Sequence, residues 1–190
     1  MSVKKTINNL KLELFLIRRL LEEGYGPKYW WPYAKNRFFG NYLFRHLPRY
    51  EYTPDPDSEL HTVCSSGHLW MLAWMLRSFF AQSGLKPGII IHDDGTIDKD
   101  TAKLIQSKFA NVTIMFRDET AKRILEMPDV PAIVKKARTS SHFFLDRLIN
   151  LAIFSKAKRV LLSDADILYF KPPVEVIDFM TGKTDLEALG

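Results

Sequence analysis

Two carboxylates lie one residue apart at Asp164 and Asp166, directly after a short apolar run. The continuous apolar character of Val160–Leu162 predicts a strand that is buried on both faces. Residues i and i+2 of an extended chain project to the same side, so both carboxylates are expected together just past this strand.

Two like charges at this spacing repel each other unless a cation or several hydrogen-bond donors neutralise them. Hard divalent cations such as Mg²⁺ and Mn²⁺ prefer oxygen ligands of this kind, usually beside substrate phosphates. The acidic pair therefore predicts a metal and phosphate site. A solvated turn with incidental acidic residues is the alternative, because loops are rich in Asp.

Strands and helices alternate along the chain before the acidic pair. The pattern predicts strands at Leu60–Cys64, Gly88–His92 and Val112–Phe116, and helices at His68–Gln82, Asp98–Phe109, Glu119–Met127 and Ser141–Ala157. Such alternation is typical of right-handed βαβ units, so we expect an α/β fold with a mostly parallel sheet and flanking helices. Ligands of these sheets bind outside the carboxyl ends of the strands, where Ser65–Gly67, Asp93–Gly95 and Asp164–Asp166 are expected.

The N-terminal part of the chain differs in composition from the rest. Ile7, Leu10, Leu14, Ile17 and Leu21 predict a basic amphipathic helix, which fits packing on a protein surface or contact with a membrane surface. Tyr25–Tyr52 is crowded with aromatic and basic residues, which could stack on nucleic acid or cover a core. The prolines of Thr53–Asp57 predict a linker or turn, so we divide the chain into an extension (1–57) and a domain (58–190).

Composition narrows the class of protein. The chain has 190 residues, enough for one domain with a substantial core, and a formal net charge of +5. This mild charge suits an anionic substrate or a membrane surface, and we expect no nucleic acid partner. Cys64 is the only cysteine, which excludes an internal disulfide and predicts a reducing, cytoplasmic location, with peripheral membrane contact left open.

The central segments resemble a known family. The run Phe144-Leu145-Asp146-Arg147-Leu148, followed by Arg159–Leu168 with its Leu-Ser-Asp-Ala-Asp-Ile-Leu core, is similar to nucleotide-sugar glycosyltransferases of the GT-A fold. The most similar pattern is that of the retaining family 8, which includes glycogenin and bacterial galactosyltransferases. The strand and helix from Thr62 to Phe79 resemble the opening segments of that family, and the likeness extends over about residues 60–176.

The resemblance implies a Rossmann-like GT-A fold that transfers a sugar from a nucleoside-diphosphate sugar to an acceptor hydroxyl. Asp164 and Asp166 would hold Mn²⁺ or Mg²⁺ against the diphosphate of a donor, most often a UDP-sugar. The donor-binding residues would be Ser65, Ser66, Gly67, Asp94, Arg147, Asp164 and Ala165. Family members often carry Asp or Asn after the first strand, where this chain has Ser65-Ser66-Gly67. An ordinary salt bridge is the other expectation for Arg147.

The resemblance covers only the donor-binding half of such an enzyme, because the sequence stops at Gly190, soon after the acidic pair. The GT-A domain is therefore expected to be incomplete at the C-terminus, to expose apolar surface there and to self-associate. The acceptor, whether glycan, lipid or protein, is not identified by any motif. A non-catalytic nucleotide-binding or scaffold module that needs a partner chain is the alternative.

Overall fold

The structure, a computed structural model, describes residues 26–139 and 143–184, together with residues 15, 18, 19 and 21–24. Its helices are α1 (Pro27–His46), α2 (Leu69–Ser83), α3 (Lys99–Lys108), α4 (Arg117–Glu126), α5 (Ala132–Arg138), α6 (Phe143–Phe154) and α7 (Val174–Met180). Its strands are β1 (Asp55–Cys64), β2 (Pro87–Asp93), β3 (Val112–Met115) and β4 (Arg159–Leu162). Most of the basic helix predicted between Ile7 and Leu21 lies outside these residues.

The four strands form one sheet in the order β3-β2-β1-β4, and every pair of neighbours is parallel. The predicted α/β class with a parallel sheet is therefore confirmed. β1 lies between two partners, with Leu60 beside Ile89 of β2 on one side and Leu161 of β4 on the other. Leu60 and Ile89 are fully buried at the centre of the core.

β1 begins earlier than the sequence pattern predicted. The strand starts at Asp55, whose N–H donates to the Lys86 carbonyl at 2.7 Å, so the prolines of Thr53–Asp57 do not mark a simple linker. The register with β2 shifts between Asp55 and Glu59, and such irregularities accommodate a proline that cannot donate to the ladder.

The prediction that Val160–Leu162 is buried on both faces is wrong. Among the described residues β4 is an edge strand and all four of its residues are half-buried. Within this run Leu161 packs against the core. Beyond it Ile167, Leu168 and Phe170 are 41%, 46% and 85% exposed, which agrees with the apolar surface expected on this side.

α1 packs closely on α2, which covers one face of the sheet. A Cβ added at Gly40 would lie 2.5 Å from Cγ of Trp70, so this approach requires the absence of a side chain. Phe44 of α1 is 1% exposed and packs near Phe109 in the core. In the part of the chain that the structure describes, no helix is both long and apolar enough to cross a bilayer.

α5 occupies the proline-containing stretch between the predicted helices Glu119–Met127 and Ser141–Ala157, where the sequence pattern predicted neither a helix nor a strand. Pro131 lies at the N-cap of this helix, a position next to the first turn where the missing N–H has little consequence. The helix brings Arg138 into the interior, where its side chain is 1% exposed. The prolines here mark the start of an element rather than its absence.

Candidate functional site

A cavity of about 390 Å³ opens at the carboxyl ends of β1 and β4. The chain leaves β1 toward β2 and β3, and then returns to β4 on the other side of β1. Sheets of this kind bind ligands in the crevice where the strand order reverses. The cavity is lined by Val63, Cys64, Ser65, His68, Met71, Asp94, Asp164, Ala165 and Asp166.

The acidic pair lies in a turn rather than on an extended strand. β4 ends at Leu162, and the chain turns at residues 165 and 166, with the Ile167 N–H donating to the Asp164 carbonyl at 3.4 Å. The expected extended geometry of the pair is therefore wrong. Both carboxylates nevertheless line the same cavity and are exposed.

Arg147 reaches the acidic pair from α6. Its Nη1 donates to Oδ1 of Asp164 at 2.7 Å. The Arg147 side chain is only 13% exposed, whereas that of Asp164 is 57% exposed. The salt bridge weighed as the alternative for Arg147 is therefore present, and it places a guanidinium directly against the first carboxylate.

The turn after β1 is tied to the loop after β2. The Ser66 N–H donates to the Thr96 hydroxyl at 2.9 Å, and that hydroxyl donates to Asp94 Oδ1 at 2.6 Å. Ser65 and Asp94 line the cavity, whereas Ser66 and Gly67 are not among its lining residues. This network holds the two loops in fixed relative positions at the sheet edge.

His68 is a cavity residue for which the sequence pattern predicted only the start of a helix. It occupies the N-cap of α2 without a capping side-chain bond, and its Nδ1 instead lies 2.8 Å from Oγ of Ser65. Its position four residues after the end of β1 was the available signal. The neighbouring Cys64 thiol is buried. Burial is the main cause that raises the pKa of this thiol, and the charges of Asp94 and Asp93 raise it further, so a reactive thiolate is disfavoured.

The donor set of the cavity suits a hard cation that is shared with a phosphate ligand. Within the described ranges no cluster of three or more His, Cys, Asp or Glu side chains could hold a metal by itself. Mg²⁺, however, is commonly bound through one or two carboxylates, with waters and substrate phosphates completing its shell. Asp164 and Asp166 both line one open cavity and would be the carboxylate ligands of such a cation.

A buried chain of polar side chains crosses the sheet beneath the site. His61 Nδ1 lies 3.0 Å from His92 Nε2, His61 Nε2 lies 2.9 Å from Glu59 Oε2, and Asn150 Nδ2 lies 3.3 Å from His92 Nδ1. Burial alone would raise the pKa of Glu59, but hydrogen bonds from Ser155 and His61 lower it, so Glu59 is a carboxylate acceptor. His61 Nε2–H therefore donates to Glu59, His92 Nε2–H donates to His61, and Asn150 donates to His92.

This arrangement requires both imidazoles to be neutral. The pKa of His92 is lowered to about 3, mainly by burial and then by the nearby His61, Arg147 and Arg138. Burial also lowers the pKa of His61. In the unfolded chain a histidine has a pKa of about 6.5. The folded state thus binds fewer protons, and its stability is fully present above about pH 6.5.

We expect the free energy of unfolding to fall as the pH drops from about 6.5 toward 3. His92 contributes about 1.4 kcal/mol for each pH unit in this window, hence about 2 kcal/mol between pH 6.5 and 5. Urea unfolding of the wild type and of His92→Asn at pH 7 and pH 5 measures this difference. His92→Asn should lose clearly less stability over the interval than the wild type.

His46→Asn is the matched control, because this histidine is exposed on α1. It should keep the pH dependence of the wild type. Equal pH dependence in the wild type and in His92→Asn would contradict a neutral buried pair.

A buried ion cluster supports α6 from the other side. Asp146 Oδ2 accepts from Arg138 Nη1 at 2.7 Å and from Arg117 Nε at 2.8 Å. Arg138 also donates to the Arg117 carbonyl at 2.6 Å and to the Thr120 hydroxyl at 3.0 Å. Asp146 directly precedes Arg147, so the cluster fixes the part of α6 that points Arg147 toward the acidic turn.

Comparisons of the chain with known proteins give no relatives. No family model matches the sequence. No curated protein matches it. No solved structure matches the fold of the chain. The functional conclusion therefore rests on the residues and the geometry of the site.

Proposed function

We propose that this chain binds a nucleoside-diphosphate sugar with a divalent cation and forms the donor-binding part of a glycosyltransferase of the GT-A fold. The observation that carries the proposal is the cavity at the β1/β4 reversal, which gathers Ser65, Asp94, Asp164 and Asp166. The sequence likeness of the Arg147 segment and the acidic turn to retaining family 8 supports the same conclusion. A UDP-sugar is the donor class that this likeness favours.

The residues of the site have separate roles in donor binding. Asp164 and Asp166 would hold Mn²⁺ or Mg²⁺, which supplies a Lewis acid for charge that develops on a leaving diphosphate. Arg147 contributes a fixed guanidinium, whose planar donor fork matches phosphate oxygens. Asp94, which accepts from the Thr96 hydroxyl, presents a carboxylate that can accept hydrogen bonds from the nucleoside, and Ser65, next to the Ser66 of that network, presents a hydroxyl that can donate or accept one.

Titration calorimetry tests this proposal most directly. UDP should bind to the intact chain in the presence of Mn²⁺ and bind much more weakly when EDTA removes the cation. AMP and inorganic phosphate in equal excess serve as ligand controls. Absence of any Mn²⁺-dependent binding of UDP, of GDP and of their sugar conjugates would contradict the proposal.

Arg147→Ala should weaken UDP binding by about tenfold or more, because a charge-assisted contact to phosphate contributes roughly 1.5–3 kcal/mol. Folding should change little, since the partner Asp164 is 57% exposed and becomes hydrated. Calorimetry with UDP measures the change in affinity, and urea unfolding measures the change in stability.

Arg147→Lys is the matched control, since it keeps the charge but loses the planar fork. It should bind UDP with an affinity between those of the wild type and Arg147→Ala. Unchanged UDP affinity in Arg147→Ala would show that the arginine acts only as a salt-bridge partner of Asp164.

A non-catalytic nucleotide-binding module is the second candidate function. The exposed apolar side chains of Ile167, Leu168 and Phe170, which directly follow the acidic turn, favour a chain that works against a partner surface. Incubation with UDP-sugars, Mn²⁺ and simple acceptors separates the candidates. Binding without turnover supports the module, and sugar transfer supports the enzyme.

A further inference from the structure

The exposed side of α1 carries a regular stripe of aromatic and basic side chains. Its members are Lys28, Trp31, Lys35, Phe39, Tyr42 and His46, each three or four residues from the next, and all are exposed. Residues at these spacings share one face of a helix. We call this face the α1 stripe.

The aromatic members of the α1 stripe are exposed to an unusual degree for their size. Trp31, Phe39 and Tyr42 are 61%, 59% and 59% exposed. Leu43 at the edge of the stripe and Trp74 on the adjoining α2 are 57% and 59% exposed. Large apolar side chains gathered in this way on two packed helices mark an interaction surface.

The stripe cannot turn inward to bury these side chains. The opposite side of α1 is occupied by Gly40 and Phe44, which pack against α2 and the core. A Cβ at Gly40 would already collide with Trp70, so α1 has no room to rotate about its axis. The geometry therefore fixes the stripe toward the outside.

The charge of this segment indicates which class of partner binds the α1 stripe. Between Glu23 and Glu51 the sequence contains Lys28, Lys35, Arg37, Arg45 and Arg49, and no Asp or Glu. Anionic lipid headgroups attract such a segment, while Trp and Tyr rings place an apolar body and a polar tip at the interface. A nucleic acid would require a basic groove along its backbone, whereas this face is a convex helix with aliphatic and phenyl groups.

We propose that the α1 stripe binds the surface of a bilayer that contains anionic lipids. The helix lies parallel to the membrane, with Trp31, Phe39 and Tyr42 at the level of the headgroups, and with Lys28 and Lys35 of the stripe and the exposed Arg45 beside it against the lipid phosphates. This surface is separate from the cavity at the sheet edge and needs no nucleotide.

Vesicle flotation tests the proposal. The intact chain should float with vesicles of phosphatidylcholine and phosphatidylglycerol in equal parts, and should remain unbound with phosphatidylcholine alone. High salt should release it, because headgroup attraction to surface charges is screened. Failure to bind the anionic vesicles at low salt overturns the proposal.

Two triple variants locate the surface. Lys28→Gln/Lys35→Gln/Arg45→Gln should weaken vesicle binding by about a hundredfold, at roughly fivefold for each basic side chain. Trp31→Ser/Phe39→Ser/Tyr42→Ser should weaken it by at least about tenfold through lost apolar contact. Unfolding midpoints like that of the wild type establish that the variants remain folded.

The matched control is Lys86→Gln/Lys99→Gln/Lys103→Gln, which removes the same charge from exposed positions outside α1. It should bind vesicles as the wild type does. An equal loss in this control, or unchanged binding in both stripe variants, overturns the assignment to α1. Binding of a single-stranded oligonucleotide that the stripe variants abolish, without vesicle binding, would identify a nucleic acid surface and also overturn it.

Discussion

Asp164→Asn/Asp166→Asn is expected to lose Mn²⁺-dependent binding of UDP by at least about a hundredfold, because each charge-assisted contact contributes roughly tenfold. The substitutions keep the size of both side chains, and both residues lie in an exposed turn, so the fold should persist. Calorimetry with UDP in the presence of Mn²⁺ measures the loss. Nucleotide binding without the cation should change much less, since the carboxylates act through the metal.

Asp100→Asn/Asp129→Asn is the matched control, because it removes two exposed carboxylates far along the chain from the turn. It should bind UDP and Mn²⁺ as the wild type does. Wild-type affinity in the Asp164→Asn/Asp166→Asn variant would mean that the cavity holds nucleotide without a metal on the acidic pair, and the central assignment would be wrong.

Asp146→Ala is expected to lower the free energy of unfolding by about 3–5 kcal/mol, the usual consequence of removing one partner of a buried ion pair. Arg138 is 1% exposed and would keep its charge in the interior without its carboxylate. Its other acceptors, the Arg117 carbonyl and the Thr120 hydroxyl, are neutral and do not balance this charge. Urea unfolding at neutral pH measures the change.

The double variant Asp146→Leu/Arg138→Met provides the control for this cluster. Replacing a buried ion pair by apolar groups of similar volume is often neutral or stabilising. The double variant should therefore be more stable than Asp146→Ala. A loss below about 1 kcal/mol for Asp146→Ala would indicate that water reaches Arg138.

Local signals in the sequence were enough to predict much of the scaffold. Gly84 ends α2 in the left-handed region with φ of 67°, and Asp98 caps α3 by accepting from the Thr101 N–H, as the sequence rules expect. The apolar run of β2 and the alternation of elements predicted the parallel sheet. The sheet rule then predicted that Ser65, Asp94 and Asp164 would meet at one edge, and all three line the cavity.

Features that depend on distant contacts could not be predicted in this way. The bond between His61 and His92 joins residues 31 apart, and neither histidine carries a local signal for it. Arg138 looked like part of a loop, because only the fold brings Asp146 to it. The half-buried state of β4 depends on which strands stand beside it, and an apolar run alone cannot distinguish an edge from a centre.

α2 connects the two proposed surfaces of this protein. His68 at its start lines the cavity at the sheet edge, and Trp74, six residues later, lines a second cavity together with Leu43 at the edge of the α1 stripe. At 1.5 Å per residue these points are about 9 Å apart along the helix axis. The stripe faces away from α2, so a bilayer held by it would be separated from the axis of α2 by the width of α1, about 10 Å for a helix with its side chains. An acceptor that diffuses in the headgroup layer would reach the donor by moving in two dimensions. The rate of this encounter would depend on the surface density of lipid-borne hydroxyls rather than on a concentration in solution.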